Sequence, residues 1–347
     1  MNTSPCMRPQ GAWRVWVVLA ALAFGVAACA RTATDAPDEI EYAPELEQSV
    51  APAALMESSP APPLQQRTPL FAYYYIWFDL QSWDRAKIDY PQLGRYSSDD
   101  EGVMRQHIAW AKDAGIDGFI VGWKSSGKLN ARLEKLLRIA DEEAFKLIVI
   151  YQALDFSRDP LTINRIGADL DEFVVHYGQH PCLQVFSKPV VIWSGTWKFS
   201  ARQVESVVAP RREKLLILAT AKNVKDYLRI AHLVDGNAYY WSSVNVDTNA
   251  SHATKLNEMA NAIHARNGLW IAPAAPGFDA RLVGGTQVIE RKDGETLRRQ
   301  LSAAAAASPD VIGLISWNEF SENSHVEPSI VHGRRYLDVL QEIRLAP

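Results

Sequence analysis

The sequence predicts a single α/β domain folded as a closed (β/α)8, or TIM, barrel, and three observations lead to this prediction. The chain has 347 residues, and α/β barrels commonly spend about 250 residues on one domain. Hydrophobic residues make up 48% of the chain and charged residues 22%, a composition that permits a large core. From residue 70 onward, short apolar runs alternate with longer stretches of helical period, and eight such pairs are what a closed barrel requires.

The first 28 residues predict an export signal. Arg8 and Arg14 precede an unbroken apolar run over residues 15–28, which is shorter than a membrane-spanning helix and fits the apolar part of a signal peptide. The run ends in Val26-Ala27-Ala28-Cys29, which resembles the motif at which bacterial lipoproteins are cleaved and lipidated, here on Cys29. We therefore expect an exported protein that is lipid-anchored to the membrane of a bacterial cell envelope. The alternative is an ordinary secretory signal followed by a chance cysteine.

Residues 29–66 predict a disordered tether between this anchor and a catalytic domain over residues 67–347. The stretch is rich in Ala, Pro, Ser and Glu, and such a composition buries too little apolar surface to become ordered. After export, Cys182 would be the domain's own lone thiol, so we expect no internal disulfide. The net charge of −4 comes without a basic patch, which argues against a nucleic-acid partner.

Eight apolar runs are the expected strands of the barrel. An open doubly wound sheet is the alternative fold, but such sheets usually carry a Gly-rich turn after the first strand. This chain has Trp77-Phe78-Asp79 at that position, so the barrel is favoured. The expected strands are Phe71–Phe78, Gly118–Trp123, Leu147–Tyr151, Val190–Trp193, Leu215–Ala219, Gly236–Trp241, Trp270–Ala274 and Val311–Trp317.

Stretches of helical period fill the intervals between the expected strands. Two of these stretches are followed directly by a glycine, Gly115 and Gly268, and we expect both glycines to end their helices in the left-handed conformation. The clearest helices are expected over Asp100–Ala114, Ala131–Ala144, Ile163–Tyr177 and Ala253–Asn267.

Aromatic residues are concentrated at the expected carboxyl ends of the strands, where the active sites of such barrels lie. Any one of these rings could simply belong to the core. Five of the eight ends carry Trp or Tyr, however, and flat aromatic faces around one pocket fit a sugar-binding cleft. The rings at these ends are Tyr73, Tyr74, Tyr75, Trp77, Trp123, Trp193, Trp197, Tyr239, Tyr240, Trp241 and Trp317.

Two carboxylates follow the last expected strand, in the segment Trp317-Asn318-Glu319-Phe320-Ser321-Glu322. If the chain turns helically there, the i, i+3 spacing places Glu319 and Glu322 on one side, with Cβ atoms about 5–6 Å apart. Glycoside hydrolysis uses two carboxyl groups, one to protonate the leaving oxygen and one as base or nucleophile. Mutual repulsion would raise the pKa of one and keep it protonated. A solvated acidic loop is the alternative, which the position at a barrel strand end disfavours.

Eight short motifs occur in order between residues 70 and 337, and through them the chain resembles the barrels of glycoside hydrolase family 99 and the family 71-like hydrolases. Family 99 holds endo-acting α-mannosidases and α-mannanases. The motifs are Tyr74-Tyr75-x-Trp77-Phe78, Gly94-x-Tyr96-Ser97-Ser98-Asp99, Ala114-Gly115-Ile116-Asp117-Gly118-Phe119, His180-Pro181, Asp235-Gly236, Pro276-Gly277-Phe278-Asp279, Arg291-x-Asp293-Gly294 and Trp317-Asn318-Glu319-x-x-Glu322.

The resemblance implies a retaining hydrolase of α-linked oligo- or polysaccharides. It makes Glu322 the general acid/base and Glu319 the base that deprotonates the sugar 2-hydroxyl, so that the reaction passes through an anhydro sugar. An axial 2-hydroxyl, anti to the leaving group, suits α-mannosides. The residues expected to contact substrate are Tyr74 or Tyr75, Trp77, Trp123, Gln152, Tyr240, Asp279, Arg291, Trp317 and Asn318.

Two positions depart from the family pattern. Gln152, with Asp155 nearby, follows the third strand where a sugar-contacting Glu is expected, and Ser321-Glu322-Asn323 replaces a His-Glu-Gly sequence. These departures leave open an α-1,3-glucanase-like hydrolase, or a noncatalytic glycan-binding lipoprotein on the same barrel. The retention of both Glu319 and Glu322 argues against the binder, which needs no acid beside a base.

We expect no metal or other cofactor. His176 and His180 have the i, i+4 spacing of helical zinc ligands. His180 precedes Pro181, however, and is expected to lie outside the helix. No GxSxG nucleophile motif occurs in the chain.

Overall fold

The structure is a computed structural model that describes residues 68–155 and 157–345. The expected signal peptide, the lipidation residue Cys29 and the tether to residue 66 lie outside the described residues. Parallel strands form a closed barrel. These are β1 (Leu70–Tyr75), β2 (Gly118–Trp123), β3 (Lys146–Tyr151), β4 (Val190–Trp193), β5 (Leu216–Ala219), β6 (Gly236–Ala238), β7 (Leu269–Ala274) and β10 (Val311–Leu314). Between β7 and β10, β8 (Phe278–Asp279) and β9 (Val288–Ile289) pair as a short antiparallel ribbon.

The barrel closes because β1 pairs in parallel with both β2 and β10. Phe71 lies opposite Gly118 on one side, and Leu70 lies opposite Ile312 on the other. The order around the barrel is β1-β10-β7-β6-β5-β4-β3-β2, which is the order of the chain. The fold class predicted from the sequence is therefore confirmed.

Helices occupy the intervals between the barrel strands. Asp100 begins the first of them, since its side chain accepts hydrogen bonds from the N–H groups of Gly102 and Val103. Within the described part of the chain, no helix combines the length and apolarity needed to span a bilayer. The helices are α1 (Glu101–Asp113), α2 (Gly127–Glu142), α3 (Ile163–His176), α4 (Ala201–Val208), α5 (Val224–Leu228), α6 (His252–His264), α7 (Glu295–Ala306) and α8 (Arg335–Leu345).

The two glycines expected to end helices behave differently. Gly115 takes the left-handed conformation after α1, with φ of 74°. After α6, however, Asn267 takes that conformation, with φ of 56°, and the N–H of Gly268 donates to Ile263 O. The prediction for Gly268 was wrong because asparagine also tolerates this conformation. Gly268 is needed for close packing instead, since a Cβ there would lie 3.0 Å from Ile263 Cγ2.

Three strands end three residues earlier than the sequence predicted. β1, β6 and β10 stop at Tyr75, Ala238 and Leu314, so that residues 76–78, 239–241 and 315–317 lie beyond the barrel ladder. After β10 the backbone leaves the regular ladder. Ser316 N–H donates to Ser324 O within the loop, while Trp317 N–H still donates to Tyr73 O of β1, each at 2.8 Å. Of the aromatic residues expected at these strand ends, Trp77, Tyr239, Tyr240, Trp241 and Trp317 therefore lie on loops, whereas the three tyrosines 73–75 lie within β1.

Alternation along the strands sorts their side chains into two layers. Odd-numbered residues of β1, such as Tyr73 and Tyr75, pack inside the barrel with Ile120 and Ile148. Tyr74 and the other even-numbered residues pack against the helices. Trp123, Trp193 and Trp317 also belong to the helix-facing layer and are fully buried. The expectation of a rim in which these three tryptophans face the pocket is therefore wrong.

Candidate active site

The loop after β10 carries both candidate carboxylates and is closed by its own hydrogen bonds. Val326 N–H donates to Ser316 O at 2.9 Å. Residues 320–323 form a turn, not a helix, in which Asn323 is left-handed with φ of 47°. Asp279 N–H, from β8, donates to Glu322 O at 2.8 Å. The two acids are thus held on either side of a tight turn that the β8–β9 ribbon supports.

Glu319 is almost completely buried, with 8% of its surface exposed. Its backbone N–H donates to Ser316 Oγ at 2.8 Å, and its Oε1 accepts the N–H of Ser321 at 2.9 Å. Burial raises the pKa of Glu319, while the hydrogen bonds from Ser321 and the positive charge of Lys87 oppose this rise. The surroundings of Glu319 therefore favour its ionised form over that of its neighbour.

Glu322 is partly exposed and lies in a less favourable environment for negative charge. Burial, together with repulsion from Glu319, raises the pKa of Glu322 to about 8, and the charge of Arg158 opposes the rise. Because two close carboxyls cannot both ionise cheaply, one proton remains on the pair near neutral pH. The donors to Glu319 place this proton on Glu322.

Aromatic side chains form a wall beside the acid pair. The Tyr75 hydroxyl donates to the Tyr240 hydroxyl at 2.8 Å, and the Tyr75 ring stacks on Trp77 with centroids 4.2 Å apart. Burial, with the negative charges of Glu319 and Glu322, raises the pKa of both tyrosines well above the usual range. The phenols are therefore neutral hydrogen-bonding groups beside the acid pair, and Trp77 contributes a partly exposed ring.

Asn318 joins this wall to the acid-bearing loop. Its Oδ1 accepts the N–H of Tyr75 at 2.8 Å, and its Nδ2 donates to Tyr75 O at 3.0 Å. The side chain thereby continues the pairing of β1 with β10 beyond the end of the ladder. Asn318 is fully buried, so in this structure it positions Tyr75 against Glu319 and does not line the pocket.

A buried hydrogen-bonded chain supports the loop from beneath. Tyr74 Oη lies 3.1 Å from His107 Nδ1, and His107 Nε2 lies 3.1 Å from Glu327 Oε1. Tyr96 donates to Glu327 Oε2 at 2.9 Å, and Asn318 Nδ2 lies 3.4 Å from Tyr96 Oη. Of the two neighbouring tyrosines, Tyr74 therefore belongs to the scaffold, whereas Tyr75 lies at the pocket.

Two of the expected substrate contacts shape the loop instead. The Asp279 carboxylate is held by the Arg281 guanidinium, with Nη2 at 2.6 Å from Oδ2. Arg291 is buried, and its Nη2 donates to Asn323 O and His325 O, each at 2.8 Å. The Arg291 side chain thus stabilises the backbone around Glu322, whereas Asp279 reaches Glu322 through its backbone N–H alone.

Of the other residues expected to contact substrate, Trp123 and Trp317 lie in the core, whereas Gln152 lies near the barrel mouth. Trp123 donates from Nε1 to Asn130 Oδ1 at 2.9 Å and packs on Phe173 of α3, and Trp317 packs on Phe119. Gln152 follows β3 and is partly buried. Its backbone N–H donates to Trp123 O at 2.8 Å, and the alternation of β3 directs its side chain toward the barrel mouth.

The amino end of the barrel carries a different polar cluster. Within residues 68–155 and 157–345, the ligand-type atoms of Asp141, His180 and Cys182 lie within 4.8 Å of one another. His180 Nδ1 is 2.6 Å from Asp141 Oδ2, and Cys182 N–H donates to Asp141 Oδ1 at 2.7 Å. These hydrogen bonds tie the end of α2 to the turn before β4. A groove of about 570 Å³ opens at the same end, among residues that precede β5, β6 and β7, away from the acid pair.

The sequence profile described as glycosyl hydrolase family 99 matches residues 78–342. This chain belongs to glycosyl hydrolase family 99. The resemblance to family 99 inferred from the motifs is thereby confirmed, and the match covers the barrel strands after β1 together with the acid-bearing loop.

Curated relatives carry mannosidase names. A human glycoprotein endo-α-1,2-mannosidase-like protein is 23% identical over 282 residues, which cover 72% of this chain and 60% of the human protein. A mouse glycoprotein endo-α-1,2-mannosidase is 24% identical over 271 residues, covering 70% of this chain and 56% of that protein. The family 99 chain thus spans about 60% of the length of the human relative.

Solved structures share the fold. A family 99 endo-α-mannosidase from Bacteroides thetaiotaomicron superposes with a TM-score of 0.70 at 21% identity, covering 79% of this chain and 95% of that one. An exo-β-1,4-mannosidase from an Opitutaceae bacterium gives a TM-score of 0.52 at 12% identity. Because the same fold is shared with both an α- and a β-mannosidase at such low identity, the fold does not determine which glycosidic bond is cleaved.

Sequence reasoning missed several residues of the family 99 site. Lys87 lies in the long segment between β1 and α1, where no local motif marks it. Tyr96 and His107 bear on Glu327 only through the tertiary fold. The alternation of side chains along β2 was the available signal that Trp123 faces the helices.

Proposed function

We propose that this family 99 chain is a retaining glycoside hydrolase that cleaves α-linked mannose glycans. The observation that carries the proposal is the pair of neighbouring carboxyls Glu319 and Glu322. The pKa of Glu322 is raised to about 8, whereas hydrogen bonds from Ser321 and the charge of Lys87 oppose the rise in the pKa of Glu319. Such a split is what an acid and a base in one site require. The names of the relatives support the mannose substrate.

The proposed reaction has two steps. In the first, Glu322 donates its proton to the leaving oxygen, while Glu319 accepts the proton of the 2-hydroxyl, and O2 attacks C1 to form a 1,2-anhydro sugar. In the second, Glu322 takes a proton from water, the water oxygen attacks C1, and Glu319 returns its proton to O2. Two inversions at C1 give net retention, and both carboxyls end in their starting protonation states.

Stereochemistry links this mechanism to mannose. In an α-mannoside the axial 2-hydroxyl lies anti to the leaving group, so O2 can attack C1 from the opposite face. The pocket wall complements such a sugar, because the ring of Trp77 offers a flat apolar face and the phenols of Tyr75 and Tyr240 offer neutral hydrogen-bonding groups. In a glucoside the 2-hydroxyl is equatorial and this attack is poorly aligned.

The first experiment is to incubate the purified protein with α-mannan and α-1,3-glucan side by side and to measure released oligosaccharides. Products from α-mannan are expected. Products from glucan alone would refute the mannose assignment and favour the glucanase-like alternative. Glycan binding with no products from either polymer would refute hydrolysis and favour the noncatalytic binder.

Glu322→Gln tests the roles of the two acids. The amide cannot donate a proton to the leaving oxygen, so turnover should fall by at least about 100-fold, while binding of a mannan oligosaccharide by calorimetry changes little. Glu258→Gln, an exposed change on α6, is the matched control. Unchanged turnover in Glu322→Gln would refute the assignment.

We also propose that the protein is exported and lipid-anchored through Cys29 to the cell envelope. Support comes from the apolar run over residues 15–28 and the motif that ends in Cys29. Metabolic labelling with a radioactive fatty acid in a bacterial host should label the wild-type chain and not Cys29→Ser. Equal labelling of the two would refute the anchor.

A further inference from the structure

We infer that Arg132 of α2 is a positioning residue that fixes the ring of Trp77 beside the acid pair and so sets the affinity for the sugar bound there, a role that rests on the function proposed above. Trp77 lies two residues past the end of β1, where the barrel ladder no longer holds the backbone. Its ring stacks on Tyr75 and is partly exposed. The segment over residues 76–79 is therefore held in place from outside the sheet.

The guanidinium of Arg132 contacts this segment on both sides of Trp77. Before the ring, Arg132 Nη1 donates to Ile76 O at 3.0 Å. After the ring, Arg132 Nη2 donates to Asp79 Oδ1 at 2.5 Å. A guanidinium presents its N–H groups in a rigid planar fork. One side chain therefore fixes both ends of the segment relative to each other, with Trp77 between them.

Burial makes these contacts hard to exchange for others. The Arg132 side chain is fully buried, and its Nη2 also donates to Asp99 Oδ2 at 2.6 Å. A buried charge is costly unless it stays paired, so the guanidinium cannot leave the two carboxylates cheaply. Ile76 is buried as well, and a buried carbonyl needs a donor. Arg132 is therefore held in the position from which it holds the segment.

The residue after Trp77 has supports of its own. Phe78 N–H donates to Ser98 Oγ at 3.1 Å, and Ser98 N–H donates to Phe78 O at 2.8 Å. A change at Arg132 should therefore loosen the segment without releasing all of it. The partly exposed ring of Trp77 is the part that a bound sugar would contact, so the loosening should appear as weaker binding.

The chemical step should be affected much less than binding. Tyr75 is fixed independently of Arg132, because Asn318 accepts its N–H at 2.8 Å and donates to its carbonyl at 3.0 Å. Glu319 and Glu322 lie on the loop after β10, which is closed by its own hydrogen bonds. Loss of a contact made equally in the ground state and the transition state raises KM and leaves kcat unchanged.

The test measures kcat and KM for α-mannan hydrolysis in wild type, Arg132→Lys and Asp79→Asn. Lysine keeps the positive charge but lacks the fork, and Asp79→Asn leaves Arg132 paired with Asp99. Each change should raise KM by about three- to tenfold and alter kcat by less than about twofold. Unchanged KM in both variants would overturn the inference.

Arg211 provides the matched control. It is also a buried arginine, and its Nη2 donates to Asp171 Oδ2 at 2.6 Å and to Gly167 O at 2.7 Å. It lies shortly before β5, at the amino end of the barrel and away from the acid pair. Arg211→Lys and Asp171→Asn should lower the unfolding temperature as the changes at Arg132 and Asp79 do, but leave KM unchanged. Equal rises of KM in Arg132→Lys and Arg211→Lys would show a general loss of stability and refute the role of Arg132.

A double-mutant cycle with Trp77→Ala tests whether Arg132 acts through the ring. If it does, Arg132→Lys should raise KM by no more than about 1.5-fold in the Trp77→Ala background. Full additivity of the two changes would overturn the inference. Thermal unfolding shows whether Arg132→Lys is folded, and Asp79→Asn takes its place in the cycle if it is not.

A measurement without substrate separates this inference from the proposed function. The indole N–H resonance of Trp77, assigned by its loss in Trp77→Phe, should shift or broaden in Arg132→Lys and Asp79→Asn but not in Arg211→Lys. An unchanged resonance refutes the role of Arg132 even in an active enzyme. A changed resonance in a protein that neither cleaves nor binds α-mannan supports the positioning of Trp77 and refutes only the proposed function.

Discussion

The protonated state of Glu322 predicts that Glu322→Gln stabilises the protein at alkaline pH. Burial and the charge of Glu319 raise the pKa of Glu322 from an ordinary 4.5 to about 8. The folded chain thus keeps a proton that the unfolded chain has lost between these values, so stability falls as the pH rises from 4.5 to 8. Glutamine has no charge to bury and removes this loss.

The size of the effect follows from the same numbers. A rise of about 3.5 pH units at 1.36 kcal/mol each corresponds to at most about 5 kcal/mol. Because Glu322 is partly exposed and shares its titration with Glu319, we expect about 2–3 kcal/mol after screening. The stabilisation of Glu322→Gln relative to wild type should be complete above pH 8 and should be less than about 1 kcal/mol at pH 5.

The assay is urea unfolding of wild type, Glu322→Gln and the exposed control Glu258→Gln at pH 5 and pH 9. The difference in unfolding free energy between Glu322→Gln and wild type should grow between the two pH values, and that of the control should not. A pH-independent difference, or a Glu322→Gln protein that is less stable than wild type at pH 9, would refute the reasoning. Because the measurement needs no substrate, it tests the environment of Glu322 by itself.

The two layers of aromatic residues and the buried support of the loop give further expectations. Trp77→Ala should raise KM for α-mannan several-fold with little change in stability, because the ring is partly exposed at the pocket, whereas Trp123→Ala should cost about 3–5 kcal/mol of unfolding free energy and leave KM unchanged. Kinetics and urea unfolding of both variants test these expectations. A larger rise in KM for Trp123→Ala than for Trp77→Ala would contradict the placement of Trp123 in the helix-facing layer. Glu327→Ala leaves His107 and Tyr96 without their buried acceptor and should also cost about 3–5 kcal/mol, measured by calorimetry. A loss below about 1 kcal/mol would show that the buried chain does not support the loop.

The barrel and the family were predictable because their signals are local. Short apolar runs at regular spacing predict parallel strands, and the eight motifs lie within such runs or just after them. The two acids were predictable for the same reason, since Glu319 and Glu322 directly follow the last strand. The spacing alone, however, left the backbone of the loop open, and the structure shows a single turn over residues 320–323.

It was harder to predict from the sequence whether each aromatic side chain faces the barrel interior or the helices. A buried parallel strand is apolar on both sides, so its composition does not tell which side faces the barrel interior. Trp123 and Tyr75 both look like pocket residues in the sequence, and the strand register alone separates them. The early ends of β1 and β10 likewise depend on backbone pairing between distant segments.

The sequence by itself determined the fold class and the family, and it singled out Glu319 and Glu322 as candidates for acid and base, because each depends on residue types close together in the chain. Tertiary structure alone decided which of Tyr74 and Tyr75 lies beside the acid pair and how the surroundings of each carboxyl shift its pKa. Asn318 contacts Tyr75 across 243 residues of sequence, and Tyr96 contacts Glu327 across 231. Burial and the proton affinity of a side chain are sums over such neighbours, and the folded chain alone brings them together.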